Sequence, residues 1–335
     1  MNLYYSSKTG MHYGVMILLM IVLNFLGEES IAQANIANIQ EVEKAFINAF
    51  NKDAVKEFRS FLDDKLKERN SLKKLNTSFN QIISQIGTIR SLTLDTVNEN
   101  SYTYRSVHQK MVTLKVVFGI DDTGKVSKMA ISSDYVYKDA PVLERSKSDL
   151  ILPFNGVWYV FWGGKKTSDN YHNAYPSMKG AFDFWVMGSN GKSHRPGATK
   201  NEDFYAFGRE IIAPVDGKIL YAHDKVPDNK WPAMNANAGT GNVVLLETKN
   251  KEYIVLGHLM QNSVTVTEGQ QVKQGDVLGL CGNSGKSTEP HLHFQMQNIP
   301  DFAAPKGAWV YFKNIKVNGT TKKDYIPVRG DKIRN

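Results

Sequence analysis

The most informative candidates for chemistry are two histidines separated by one residue, in the segment His291-Leu292-His293. Side chains two positions apart in a β-strand point to the same face, so both imidazoles would enter one site. One ring could then bind a metal while the other acts on a metal-bound water. A polar, glycine-bearing approach at residues 282–290 precedes the pair, as an open site at the rim of a sheet would require. The spacing alone is a weak signal, because it also arises by chance.

Residues upstream of this pair can complete such a site. His258 follows a β-rich apolar run, and His172 and Asp183 lie further upstream. Asp183 stands between two phenylalanines, so on an alternating strand its carboxylate would point away from them, to solvent or to a metal. His194 and His223 are the substitutes for His172, although an ordinary surface or loop histidine is the simpler interpretation of both.

In this order, the residues resemble the lysostaphin-type (LytM-like) zinc metallopeptidases, a family that hydrolyses peptide bonds in bacterial peptidoglycan. The resemblance extends over residues 152–300 and depends on several spaced motifs rather than on any one of them. The motifs are His172 with Asp183, Ala213-Pro214-Val215-Asp216-Gly217, Gly257-His258-Leu259, the spaced glycines Gly269, Gly275 and Gly279, Gly282-Asn283-Ser284-Gly285, and His291-Leu292-His293-Phe294.

The resemblance implies a role for each of five residues. His172, Asp183 and His293 would bind one Zn2+ per chain, and His258 and His291 would be unliganded histidines beside it. Two imidazoles, one carboxylate and a water make a tetrahedral, open catalytic zinc site. His291 would be the general base, and His258 would orient the water or stabilise the oxyanion, although these two roles could be exchanged. In the best-known members the first histidine and the aspartate are three or four residues apart, whereas 11 positions separate His172 from Asp183 here, so a loop must connect them.

Three function classes are compatible with this pattern. The first is a zinc endopeptidase acting on peptidoglycan, which is favoured because all five positions have a candidate residue. The second is a catalytically inactive wall-binding module that activates other cell-wall hydrolases, as relatives without zinc ligands do. The third is a zinc peptidase acting on an extracellular protein. A cysteine nucleophile is not predicted, because the single cysteine, Cys281, lies in an apolar context typical of a small buried side chain.

The N-terminus predicts export. Lys8 is followed by an apolar run from Gly14 to Leu26 and by the small-residue sequence Ala32-Gln33-Ala34, so a signal peptide cleaved after Ala34 is predicted. No later segment approaches transmembrane length, so no stable membrane span should remain, and the mature protein should be periplasmic or secreted. The formal net charge is +8, but the basic residues are scattered and no nucleic-acid partner is predicted.

The predicted organisation is an α+β domain followed by a mainly β domain. Helical spacing after the signal, a helix from Ser71 to Ile86 and strands between 101 and 131 predict a small α+β domain at 35–135. Its layout resembles the cone-shaped cystatin-like (SnoaL-like) domains. Many short strands with glycine-rich turns then predict a peptidase domain of antiparallel β-sandwich or barrel-sandwich type. The predicted segments are a signal peptide at 1–34, the α+β domain at 35–135, a charged linker at 136–151, the β-rich zinc metallopeptidase domain at 152–318 and a C-terminal tail at 319–335.

Two further features of the β domain carry expectations. The polar segment at 188–207 is predicted to be a long loop that could form a wall of the cleft. Trp158 and Trp162 are predicted to belong to the core rather than to a platform for stacking sugars.

Overall fold

The computed structural model describes residues 38–335, and the chain divides into two compact units at the boundary between Tyr135 and Val136. The predicted signal peptide at 1–34 lies outside the described residues. Within the described range, none of the helices is long and apolar enough to cross a membrane.

The first unit begins with four helices: α1 (residues 38–51), α2 (Val55–Ser60), α3 (Asp64–Arg69) and α4 (Leu72–Ile86). The predicted helix from Ser71 to Ile86 is confirmed as α4. Its N-terminus is capped by the Ser71 hydroxyl, which accepts a hydrogen bond from the backbone N–H of Lys74. It ends at Gly87, whose φ of +85° favours glycine.

Four antiparallel strands follow in sequential order: β1 (Ile89–Asn98), β2 (Ser101–His108), β3 (Thr113–Ile120) and β4 (Val126–Ser132). Alternate residues of β2 are buried, as a sheet with one covered face requires. Phenylalanines from the helices and the sheet meet in one core, in which Phe46 contacts Phe58, Phe79 and Phe118. The predicted α+β class of this unit is confirmed.

The second unit is built from antiparallel strands: β5 (Trp158–Trp162), β6 (Phe182–Trp185), β7 (Glu210–Ile212), β8 (Gly217–His223), β9 (Asn242–Thr248), β10 (Tyr253–Leu259), β11 (Gln271–Val272), β12 (Val277–Leu280), β13 (Leu292–Gln297), β14 (Phe312–Val317), β15 (Thr320–Tyr325) and β16 (Lys332–Arg334). Ten of them form one sheet in the order β11-β8-β9-β10-β13-β6-β5-β16-β14-β15, and β12 pairs with β7. The prediction of a mainly antiparallel β domain is confirmed.

The core of this unit is rich in aromatic side chains. Trp158 is fully buried and stacks on Phe154, with ring centroids 4.4 Å apart. Phe182 and Phe184 are stacked 5.2 Å apart and are also buried. The core prediction for Trp158 is therefore confirmed, and the two phenylalanines beside Asp183 anchor its strand.

Two of the predicted segment boundaries differ from the structure. Residues 319–335 are not a tail, because they contain β15 and β16, and β16 joins β5 to β14. Residues 136–151 are not a free linker, because Leu150 is fully buried in the core of the second unit. Further, Glu252 accepts hydrogen bonds from the backbone N–H groups of Lys147 and Ser148. Strong charge along a segment does not exclude packing when its few apolar residues face the core.

Candidate metal centre

Asp183 and His293 are direct partners on neighbouring strands. In the β6–β13 register Asp183 lies opposite His293, so the two side chains lie on the same face of the sheet. Nδ1 of His293 is 2.9 Å from Oδ1 of Asp183. The alternation of β6 sends Phe182 and Phe184 into the core and the carboxylate to the opposite face, as the sequence pattern predicts.

His172 reaches the same carboxylate from the long connection between β5 and β6. It lies in a short 3₁₀ helix, Tyr171–Ala174, and its Nε2 is 3.6 Å from Oδ2 of Asp183. The Asn170 amide donates to the backbone oxygens of Ala181 and Gly164, so its oxygen must face Nδ1 of His172, at 2.9 Å. Nδ1 of His172 therefore carries the hydrogen, and the lone pair of the neutral ring lies on Nε2.

His172, Asp183 and His293 form a group suited to a metal ion. One ligand atom from each lies within 4.8 Å of the others, and all three side chains are buried. Two imidazole nitrogens and one carboxylate oxygen are the donor set of open catalytic zinc sites. The second nitrogen of each imidazole has its own acceptor, as metal-binding histidines require. The residues present therefore fit zinc.

A β-bulge directs His258 toward this group. The β9–β10 register shifts between Leu256 and Leu259, and His258 has a left-handed φ of +60°. Its backbone N–H donates to the oxygen of Thr240 at 2.8 Å, and its ring Nδ1–H donates to the oxygen of Ser284 at 2.8 Å. Left-handed backbone is costly for a residue other than glycine, and such strain is concentrated at functional sites.

His291 lies immediately before β13 and completes the cluster. Its Nδ1–H donates to the backbone oxygen of Glu289 at 2.8 Å, and its Nε2 is 3.6 Å from Oδ1 of Asp183. The ring centroids of His258 and His291 are 4.8 Å apart, and those of His258 and His293 are 5.8 Å apart. The structure thus brings together all five residues that the sequence singles out.

Burial and mutual charge set the protonation of the cluster. Burial alone would raise the pKa of Asp183. Its interactions with His291, His293 and His172 instead hold that pKa well below its usual range. Burial lowers the pKa of His172 to about 4 and that of His258 well below its ordinary value. Burial also opposes the charged form of His291, but the Asp183 carboxylate outweighs it and raises the pKa. At neutral pH the Asp183 carboxylate is therefore ionised, and the rings of His172 and His258 are neutral, each with one nitrogen lone pair.

The cluster opens into a cleft with a volume of about 570 Å³. Aromatic side chains line much of it: Phe161, Trp162, Tyr171, Tyr175 and Trp185. The core prediction for Trp162 is wrong, because this side chain is only partly buried and packs edge-on against Tyr171 in the cleft. Regular alternation would put Trp158 and Trp162 on the same face, but the β5–β6 register shifts between Val160 and Trp162, so the two tryptophans have different surroundings.

All residues of the loop at 188–207 are described by the structure, and none of them lines the cleft. Instead, the Ser193 hydroxyl donates to the Glu289 carboxylate at 2.9 Å, which supports the turn before His291. The loop therefore contacts the segment that precedes His291 and does not form a wall of the cleft.

The other histidines that the structure describes lie outside the cluster. His194 bonds to the backbone oxygen of Arg195 and packs near Phe204, and His223 stacks parallel to Tyr221. Cys281 is fully buried in the core, and burial raises the pKa of its thiol. Asn170 and Gln295 are the contributors that the sequence interpretation missed. In the sequence, the only indication of their role is that each of these amide side chains lies two positions from a proposed ligand histidine.

Residues 199–311 match peptidase family M23. This segment contains His258, His291 and His293, whereas His172 and Asp183 precede it. A 93-residue segment is 36% identical to the cell division protein DipM of Caulobacter vibrioides, covering 28% of this chain and 13% of DipM. A 136-residue segment is 31% identical to the peptidoglycan DD-endopeptidase ShyC of Vibrio cholerae, covering 38% of this chain and 30% of ShyC.

Among solved structures, the catalytic domain of lysostaphin from Staphylococcus simulans shares 25% identity. The match covers 35% of this chain and 86% of that domain, with a TM-score of 0.24. The chain spans less than a third of the length of either curated relative.

Proposed function

We propose, from the peptidase family M23 domain that this chain contains, that the protein is an exported zinc metalloendopeptidase that hydrolyses peptide bonds in bacterial peptidoglycan. The observation that carries the proposal is the convergence of His172, Asp183 and His293 within 4.8 Å, with His258 and His291 beside them. An inactive relative would be expected to lack part of this set.

His172, Asp183 and His293 would hold one zinc ion, through Nε2, a carboxylate oxygen and Nδ1 respectively. Bound there, zinc would supply Lewis-acid chemistry and would bring the pKa of a coordinated water to about 7. The neutral ring of His172 and the ionised carboxylate of Asp183 are the protonation states that metal binding requires of these two residues.

His291 is the residue to which we assign proton transfer. Its Nδ1–H is held by the Glu289 carbonyl, so Nε2 is the atom that can accept a proton. Asp183 lies 3.6 Å from that nitrogen and stabilises the imidazolium that forms.

His258 has a different task in this proposal. Its Nδ1–H is used by the Ser284 carbonyl, so the neutral ring offers only a lone pair at Nε2. A lone pair accepts a hydrogen bond from water and cannot donate one to an oxyanion. Of the two roles that the sequence leaves open for His258, orienting the water is therefore the one that the hydrogen bonds support.

One observation supports export of the protein, and a second supports peptidoglycan as its substrate. The predicted signal peptide at 1–34 supports export. ShyC, which is similar over 136 residues, is named a peptidoglycan DD-endopeptidase. Peptidoglycan cross-links or stem peptides are accordingly the substrate class that we propose.

The test is incubation of the purified chain with purified peptidoglycan, followed by mass spectrometry of the released fragments. The proposal predicts fragments that carry one added water at a peptide bond, and no such fragments from His258→Ala. His194→Ala, a histidine variant outside the cluster, should retain the activity. Binding to the wall without cleavage, together with stimulation of another hydrolase, would instead support the activator function. Cleavage confined to an extracellular protein would contradict the substrate assignment.

A further inference from the structure

Three side chains on one face of β13 form a buried hydrogen-bonded chain. Nε2 of His293 lies 3.3 Å from Oε1 of Gln295, and Nε2 of Gln295 donates to Oε1 of Gln297 at 2.9 Å. Residues at alternate positions of a strand share a face, which places the three side chains in a row. Gln295 is 7% exposed and Gln297 is fully buried, so neither amide can exchange its partners for bulk water.

The backbone fixes the orientation of the far amide. Nε2 of Gln297 donates to the backbone oxygens of Ile299 at 2.7 Å and Asp301 at 3.1 Å. Carbonyl oxygens can only accept, so a reversed amide would place its own oxygen against two others and leave both unpaired. Gln297 must therefore present Oε1 to Gln295.

The same reasoning fixes Gln295. Its Nε2 donates to Oε1 of Gln297 and to the backbone oxygen of Ser177 at 3.1 Å, both of which are acceptors. Oε1 of Gln295 must consequently face His293, and Nε2 of His293 must carry a hydrogen. A neutral imidazole has one N–H, so its lone pair then lies on Nδ1, the atom 2.9 Å from Asp183.

We propose that Gln295 and Gln297 are positioning residues that fix the tautomer of His293 and thereby make Nδ1 its metal-binding nitrogen. The inference rests on the proposed zinc site and extends it by two residues that do not touch the ion. His172 is held in the opposite tautomer by Asn170, so the two ligand histidines use different nitrogens. The backbone carbonyls of Ile299 and Asp301 fix the amide of Gln297, and through Gln295 they fix the tautomer of His293.

The experiment compares Gln295→Leu, Gln295→Glu and a control in the full chain. Gln295→Leu removes the acceptor at Nε2 of His293, so zinc affinity should fall about 10- to 100-fold. Ring-nitrogen NMR shifts of the zinc-loaded protein should then show a mixture of His293 forms instead of the single Nε2–H form. Gln295→Glu keeps an acceptor toward His293, so it should retain the Nε2–H form and most of the affinity, although it loses stability.

Asn298→Leu is the matched control. This buried amide also bonds to backbone groups, of Pro141 and Lys306, but it does not belong to the chain that leads to His293. It should lower stability without changing zinc affinity or the His293 tautomer. Wild-type affinity and an unchanged Nε2–H signal in Gln295→Leu would overturn the inference while leaving the zinc site intact. A wild-type chain that binds no zinc would overturn the proposed function as well.

Discussion

At the scale of single residues, the left-handed His258 is where conformational strain and proposed chemistry coincide. The strain is held in place by its backbone bond to Thr240 and its ring bond to Ser284. The bulge that creates this conformation also turns the ring toward His291 and His293. A regular strand would have sent the side chain at this position elsewhere.

A pair of substitutions separates the strain from the chemistry. His258→Gly and His258→Ala should both bind zinc and both lose at least about 100-fold in hydrolysis rate. His258→Gly should be more stable than His258→Ala by about 1 kcal/mol, because only alanine is disfavoured at a φ of +60°. Urea unfolding of the two proteins measures the difference. Equal stabilities would show that the backbone relaxes when the side chain is removed.

The five residues of the cluster could be identified from the sequence, because they stand in the ordered motifs through which the chain resembles the lysostaphin-type family. The sequence could not identify Asn170, Gln295 or Gln297. Their contribution depends on which backbone carbonyls the fold brings to each amide, and amides are common in every kind of surface and turn. The division of roles between His258 and His291 likewise needs the hydrogen bonds of their Nδ1 atoms.

At the scale of elements, strands with clear alternation were predictable and strands without it were not. β2 alternates between buried and partly exposed positions, and it begins at Ser101, where the predicted strands begin. β1 is exposed along most of its length, so the sequence pattern gives no sign of it. β16 has three residues, of which only Ile333 is buried, and it was predicted to belong to a tail.

The importance of β16 is testable. Ile333 is fully buried where β16 joins β5 to β14. Ile333→Ala should destabilise the second unit by about 2–5 kcal/mol, because it leaves a cavity in the core. Lys332→Ala, at an exposed position of the same strand, should change stability by less than about 0.5 kcal/mol. Chemical denaturation followed by tryptophan fluorescence measures both, and equal effects would contradict the core role of β16.

The connection between β5 and β6 supplies both His172 and part of the aromatic lining of the cleft. Tyr175 is 52% exposed there, so its ring is available to a substrate. Tyr175→Ala should raise KM by roughly two- to tenfold with little change in kcat or stability, as expected for the loss of one aromatic contact. Steady-state kinetics on soluble cross-linked peptides measures this. An unchanged KM would show that the substrate does not use this part of the cleft.

At the scale of the whole molecule, the unfolding of the two units can be followed by different spectroscopic signals. All five tryptophans lie after residue 136, whereas the α-helices of the described residues lie before it. Zinc at 100 times its Kd should stabilise the unit that binds it by about 2.7 kcal/mol. The melting transition followed by tryptophan fluorescence should therefore rise more than that followed by helical circular dichroism. Equal shifts would contradict a zinc site confined to the second unit.

The first unit should show its own dependence on pH through His108. This ring is buried and bonds to the backbone oxygen of Gly87, and burial lowers its pKa. The unfolded chain therefore binds more protons below about pH 6.5, so the stability of this unit should fall as the pH falls below that value. His108→Gln should weaken this dependence in the helical signal and leave the tryptophan transition unchanged. An identical pH profile would show that His108 does not contribute.

The most direct test of the central claim is recovery of peptidoglycan hydrolysis as zinc is returned to chelator-treated protein. Release of new amine termini should be absent without zinc and should reach a plateau at one zinc per chain. His293→Ala should remain inactive when about one zinc per chain is added, whereas His194→Ala should regain hydrolysis as the wild type does. Full release by the metal-free protein, or the same plateau in His293→Ala, would contradict the assignment of His172, Asp183 and His293 as the zinc ligands.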